Sequence, residues 1–280
     1  MPQDPNWLKE HTRDVYSQTG EDGVLEKALS VLPERSSWLV EFGAWDGKHL
    51  CNSGNLIENH DYRGVLIEGR PDRYQDLLDS TDRDSVVPIN AWVNFDGDNR
   101  LDSLLREQAP DLPRDFDLLS IDIDGNDYHV WEAAVDYRPK MVIIEFNPTI
   151  PTEVSFVQDR DLDVCQGASL RALTELGKSK GYELICVLPW NAIFVRKELF
   201  SLYEIEDNSP ETLRTDLSLI TYLFSGFDGS VILQGHQEIP WQRMPIRKKQ
   251  VQVLPKFLQK HTCSYNRLQR KILSVLRRVA

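Results

Sequence analysis

Five short apolar runs, WLVEF, GVLIE, SVVPINAWV, FDLLSID and MVIIEF, are each followed by a stretch with helical spacing. That alternation leaves few folds open. A strand that reads apolar throughout is buried on both faces. Strand–helix repeats place successive strands parallel, with the helices as their cover, which predicts a doubly wound α/β sheet. Helices are expected over 21–32 (with Thr19 as a possible cap), 50–59, a segment whose first turn holds Pro71, 101–108, 128–135 and 169–180. Pro88 marks the third strand as a strand end or an edge. The run YELICVLPWNAIFVRK breaks the pattern: its two strands flank Pro189-Trp190-Asn191, too close for a crossover, and so pair as an antiparallel hairpin.

The 41% hydrophobic content of the 280 residues is enough for a packed core. No segment reaches the roughly 20 apolar residues of a membrane span. The start MPQDPNWLKEH lacks the basic and apolar regions of a secretory signal. Cys51, Cys165, Cys186 and Cys263 are widely spaced without a CxxC pair. The expectation is a cytoplasmic protein with reduced, mostly buried thiols. Charge divides the chain. From Trp241 to Ala280 there are 11 Lys and Arg and no Asp or Glu, which leaves 21 basic against 44 acidic side chains in the first 240 residues. So acidic a body excludes a nucleic acid lying across it.

Two regions follow, 1–198 and a C-terminal extension 199–280. The extension holds a hairpin in LITYLFSGFDGSVILQG, turning at Asp228-Gly229, and a basic amphipathic helix. Leu268, Ile272, Val275 or Leu276, and Val279 recur on that helix among Arg267, Arg270, Lys271, Arg277 and Arg278. Such a helix docks on an anionic membrane surface, on a protein partner, or on its own acidic body.

The first strand runs into LVEFGAWDGKHL, where Gly43 and Gly47 flank a strand-to-helix turn. Glycine there allows close backbone approach to a ligand, or simply packs a helix on a strand. Glu41 precedes the turn, and Glu68 ends the second strand, where an acid holds a ribose diol. Asp46 either meets a ligand's ammonium group or caps the next helix.

SIDIDGND brings Asp122, Asp124 and Asp127 to the end of the fourth strand, an edge that lines the crevice in doubly wound sheets. Several chemistries use such a cluster. A phosphatase would take Asp122 as nucleophile and Asp124 as acid, but needs the motif early in its fold and a downstream acidic partner. A DxD glycosyltransferase would hold a metal and a sugar diphosphate, which the glycine turn fits poorly. A plain strand end would use Asp127 as a helix cap. A transferase would use Asp122 to orient an acceptor or take its proton. Glu145 and Asn147 share one face at the end of the fifth strand. His49 and His129 are lesser candidates for a base.

The segments EFGAWDGKHLCNSGNL, VLIEGRP, INAWV, SIDIDGNDYHVW and IEFNPTIP, in this order, resemble the FkbM-type branch of the class I S-adenosylmethionine-dependent methyltransferases. YSQTGEDGVLEKAL resembles a lead-in found in bacterial members. The likeness covers about residues 15–200. It implies a Rossmann-like, seven-stranded, mostly parallel sheet closed by the antiparallel hairpin, and S-adenosylmethionine as cofactor. Glu41, Gly43 and Gly47, with Ala44, Trp45 and Asp46 in the same turn, match the motif under the methionine part. Glu68 matches the ribose acid, and Asn90, Ala91 and Trp92 match the adenine pocket. Trp45 replaces the middle glycine of the commonest form, so its indole must be routed away or packed.

The resemblance places Asp122, Asp124, Glu145 and Asn147 at the transferred methyl and implies O-methylation of a small-molecule or sugar acceptor. Asp122, Glu145 and Asn147 are also similar to the magnesium site of catechol-type O-methyltransferases, although loop-ordering hydrogen bonds without a metal are the favoured reading. The rivals are a non-catalytic module binding a membrane or protein through its basic tail, and an NAD-dependent oxidoreductase, for which EFGAWDG supplies no GxGxxG.

Overall fold

The computed structural model describes residues 4–279, which divide into two compact units, 4–216 and 217–279. In the first, α1 (Glu21–Ser30) precedes β1 (Trp38–Phe42), α2 (Gly54–Asn59), β2 (Arg63–Glu68), α3 (Pro71–Ser80), β3 (Val86–Asn90), α4 (Leu101–Gln108), β4 (Leu118–Ile121), α5 (Asp127–Ala133), β5 (Met141–Glu145) and α6 (Leu170–Ser179). The hairpin β6 (Tyr182–Val187) and β7 (Asn191–Arg196) follows, then a 3-10 segment Lys197–Tyr203 and the single turn α7 (Pro210–Leu213). The seven strands form one sheet in the order β3-β2-β1-β4-β5-β7-β6, and β7 alone runs against its neighbours. This is the Rossmann-like methyltransferase architecture, an open sheet whose strand order reverses beside β1.

Side-chain alternation explains why the central strands are apolar throughout. Val40, Phe42, Leu119, Ile121, Val142 and Ile144 pack one face with Leu105, Trp131 and Leu173. Leu39, Leu66, Leu118, Met141 and Ile143 pack the other with Leu25, Leu29 and Leu56. Each face is therefore a core in its own right. Pro88 lies in β3, the edge strand, and Pro71 opens α3. Several helix ends differ from the sequence reading: α1 stops at Ser30, not 32, and α5 at Ala133, not 135. Gly20, at φ +97°, takes the cap position of α1, while Thr19 donates its hydroxyl to the Glu21 carboxylate. Residues 50–53 do not join α2, and for 51–53 the reason lies in the site below. The first unit runs on to Asp216 because Tyr203, Ile205 and Leu213 are buried in it.

The second unit consists of the hairpin β8 (Thr221–Ser225) and β9 (Val231–Gly235), a two-residue pair β10 (Glu238–Ile239) and β11 (Met244–Pro245), the turn α8 (Lys248–Val251), and α9 (Arg267–Val279). No helix among the described residues is long and apolar enough to cross a membrane. All four cysteines are free; Cys51 and Cys186 are buried, Cys165 and Cys263 exposed.

Candidate active site

A cavity of about 870 Å³ opens at the C-terminal ends of β1, β2, β4 and β5. Its wall contains Glu41, Gly43, Trp45, Glu68, Ala91, Trp92, Asp122, Asp124 and Glu145 from the sequence-derived set, and the sequence reading missed Gln18, Arg70, Arg73, Leu162 and Cys165. Smaller cavities lie elsewhere, one of them about 380 Å³ near Lys9 and Arg214.

The turn after β1 is shaped by backbone constraints. Gly43 has φ +79°, and a Cβ on it would overlap the carbonyl oxygen of Asp122, so only glycine fits. The Gly43 and Ala44 amides donate to the Ile67 carbonyl at 3.0 and 3.3 Å. Gly47, at φ +74°, sits against Leu66, Leu77 and Thr81 rather than the cavity, so it serves helix packing. Trp45 also has positive φ. Its indole lies against the cation of Arg73 at 4.1 Å, meets His49 edge-on at 4.9 Å, and donates to Asp76 at 3.3 Å. That is how a tryptophan is accommodated where a glycine is commoner.

The two acids at this end do different work. Glu68 is buried, and its oxygens accept the amides of Arg70 at 2.7 Å and Trp45 at 3.1 Å. A carboxylate has about four acceptor directions, so Glu68 keeps capacity toward the cavity. Glu41 is spent. Its oxygens accept the Asn52 and Ser53 amides at 3.0 and 2.9 Å, the Cys51 thiol at 2.9 Å, and the hydroxyls of Ser53 and Ser120. These bonds hold residues 51–53 out of the helix and explain the late start of α2. Burial, with Glu41 beside it, pushes the Cys51 thiol well up. Asp46 accepts the amides of Lys48 and His49 at 2.9 and 2.6 Å, so it orders the turn. Asn90 donates its amide to the Glu68 carbonyl at 2.7 Å and lies off the cavity wall, while Ala91 and Trp92 form part of it.

SIDIDGND is a turn with two functions. Asp127 opens α5, and its carboxylate reaches back to the amides of Ile123 and Gly125, both at 2.9 Å. This self-bonded turn puts Asp124 at φ +56° and leaves Asp122 and Asp124 facing the cavity. Glu145 joins them: each of the three offers a carboxylate oxygen within 4.8 Å of the others. That spacing suits either a shared proton or a bridging cation. Asn147 does not complete the trio. Its amide donates to the Gln166 carbonyl at 2.9 Å, and its oxygen accepts from Thr149, so it ties down the loop after β5. Burial raises the pKa of Asp122, and Asp127 and Asp124 add to it; burial and then Asp122 raise that of Glu145. Asp127 is raised by burial against the pull of its amides.

His129 is buried, with Nε2 3.0 Å from the Gln158 carbonyl. It braces the loop that carries Leu162 and Cys165 to the cavity, and it does not line the cavity itself. Gln18 arrives from the N-terminal segment. There Asp22 accepts the amides of Val15, Tyr16 and Ser17 at 2.7, 2.8 and 2.8 Å, and Asp14 accepts that of Gly20 at 2.5 Å. Asp14, and Asp22 within YSQTGEDG, are thus the sequence signal for a built wall.

No family model matches the chain, and no curated protein matches it. Solved structures are similar to it. A proposed caffeoyl-CoA O-methyltransferase from Staphylococcus aureus is 14% identical, with 67% of this chain and 87% of that chain covered and a TM-score of 0.44. An S-adenosylmethionine-dependent methyltransferase from Aquifex aeolicus is 9% identical, with coverages of 69% and 97% and a TM-score of 0.39. TrmK from M. capricolum, in complex with S-adenosyl-homocysteine, is 11% identical, with coverages of 61% and 67% and a TM-score of 0.39. At such identities the likeness is one of fold, and a fold of this kind hosts many chemistries.

Proposed function

We propose that the protein is an S-adenosylmethionine-dependent methyltransferase of the FkbM type that methylates a hydroxyl oxygen of a small molecule or sugar. One observation carries this reading: the glycine turn after β1, the acid ending β2 and the carboxylates ending β4 and β5 share a single cavity. The residues fit the cofactor. Gly43 presents bare backbone, Glu68 retains acceptor capacity for a ribose diol, and Ala91 and Trp92 offer an apolar surface for a purine. When bound, S-adenosylmethionine supplies an activated methyl group on a positively charged sulfur.

The chain's own part is alignment and proton removal. Asp122 faces the cavity, where burial, then Asp127 and Asp124, raise its pKa and favour its protonated form. A cation entering the cavity favours its carboxylate, which then accepts the proton of an acceptor hydroxyl. Asp124 and Glu145 border the same space and orient the acceptor through hydrogen bonds, and Leu162 and Cys165 line it with them. Calorimetry with S-adenosylmethionine and S-adenosylhomocysteine tests the reading. Binding of both to folded protein is expected, and no heat at millimolar ligand would end it.

A further inference from the structure

Residues 217–279 carry a surface that the proposed chemistry leaves unused. Large apolar side chains face outward among a run of cations: Phe227 is 97% exposed, Val253 83% and Leu268 66%. They belong to a connected frame. Gln252 clamps the hairpin turn, accepting the Val231 amide at 2.6 Å and donating to the Gly229 carbonyl at 3.1 Å. Gln259 donates to the Leu254 carbonyl and Gln269 of α9 to the Phe257 carbonyl, both at 2.9 Å. The Tyr265 hydroxyl donates to the Leu258 carbonyl. Hairpin turn, connecting loop and helix are therefore held together with their apolar tips outside.

The same division runs along α9. Leu268, Ile272, Val275 and Leu276 fall on one stripe at helical spacing, with Leu268 and Val275 exposed. By the same spacing Arg267, Lys271 and Arg278 border that stripe, and Arg270 and Arg277 lie behind it. Long basic side chains reach past an apolar stripe to a plane of anions while their stems stay in contact with it.

We infer that this unit docks on an anionic lipid surface, with α9 lying in the interface and the hairpin turn inserting Phe227. The occupant follows from the combination of features. A nucleic acid would neutralise the cations but leave the apolar tips in water. An apolar protein groove would take the tips and strand most of the cations, since the 11 basic side chains from Trp241 onward meet only Asp228 and Glu238 as acids of the same unit. Anionic head groups above acyl chains take both at once. The inference is independent of the reaction proposed above.

Flotation of the full chain with vesicles of phosphatidylcholine, alone or mixed with phosphatidylserine, tests it. The protein is expected to float with the anionic vesicles only and to be released by salt. The double variant Lys271→Glu, Arg278→Glu should reduce partitioning at least tenfold, since each basic residue near such a surface contributes about fivefold. Phe227→Ser removes no internal packing and no charge, and should reduce it about tenfold. Failure to float with anionic vesicles would overturn the inference. Flotation that ignores Phe227→Ser and is abolished by competing RNA would equally overturn it, identifying a nucleic-acid surface instead.

Discussion

A side-chain carbon on Gly43 would overlap the backbone carbonyl of Asp122. The glycine turn proposed for the cofactor and the acid proposed for the acceptor are thus in backbone contact, and neither can move without the other. Gly43→Ala forces a left-handed conformation on a residue with a Cβ and drives that carbon into β4's end. A stability loss of about 1–3 kcal/mol is expected by thermal melting. Loss of S-adenosylhomocysteine binding by calorimetry should accompany it.

Glu68 and Glu41 separate affinity from stability. Glu68→Ala should weaken binding of S-adenosylhomocysteine by about 1–3 kcal/mol, the scale of an unmade charged hydrogen bond. Glu41→Ala removes the acceptor for five donors in a buried site, and a loss of folding stability of about 3 kcal/mol or more is expected. Equal effects of the two changes on cofactor binding, at equal stability, would refute this division.

Asp122→Asn keeps the shape of the side chain and removes its basicity. With an acceptor found by screening, turnover should fall a hundredfold or more, about 3 kcal/mol in the barrier, at nearly unchanged cofactor affinity. Release of S-adenosylhomocysteine reports the rate. Chelators are expected to leave the parent rate unchanged. Activity lost to a chelator and restored by magnesium would make Asp122, Asp124 and Glu145 a metal site and remove the proton-acceptor role.

The raised carboxyls of Asp122 and Glu145 tie stability to pH. A carboxyl whose folded pKa exceeds its unfolded one holds a proton in the native state that the unfolded chain has already lost. Its contribution is complete below the unfolded pKa, about 4, and is lost as pH rises toward the folded value. Glu145→Gln removes that ionisation. The variant should melt above the parent at neutral and alkaline pH, with the gap closing toward pH 4, about where free carboxyls titrate. A gap of the same size at both ends of the range would show that Glu145 is not the group responsible.

Most of the sheet was legible because its strands are buried on both faces, and WLVEF and MVIIEF read as core before any fold is known. The hairpin was legible from the short spacing around Trp190. What escaped depends on where single polar side chains turn. Glu41, Asp46 and Asn147 sit at positions that invite a ligand, yet their oxygens are taken by amides two to twelve residues away. Nothing in residue type or spacing distinguishes a carboxylate bonded inward from one left open. Gln18 escaped for the opposite reason: the acids that build its segment, Asp14 and Asp22, look like ordinary surface charge until their backbone partners are seen.

Pro88 has a consequence for the molecule among its own copies. β3 ends the sheet, and the Ser85 carbonyl and Ala91 amide both bond inward to β2, so alternation turns Pro88 outward. The free edge lacks a donor in its middle. A second chain approaching there finds an interrupted ladder, which is how natural sheets resist growing into one another.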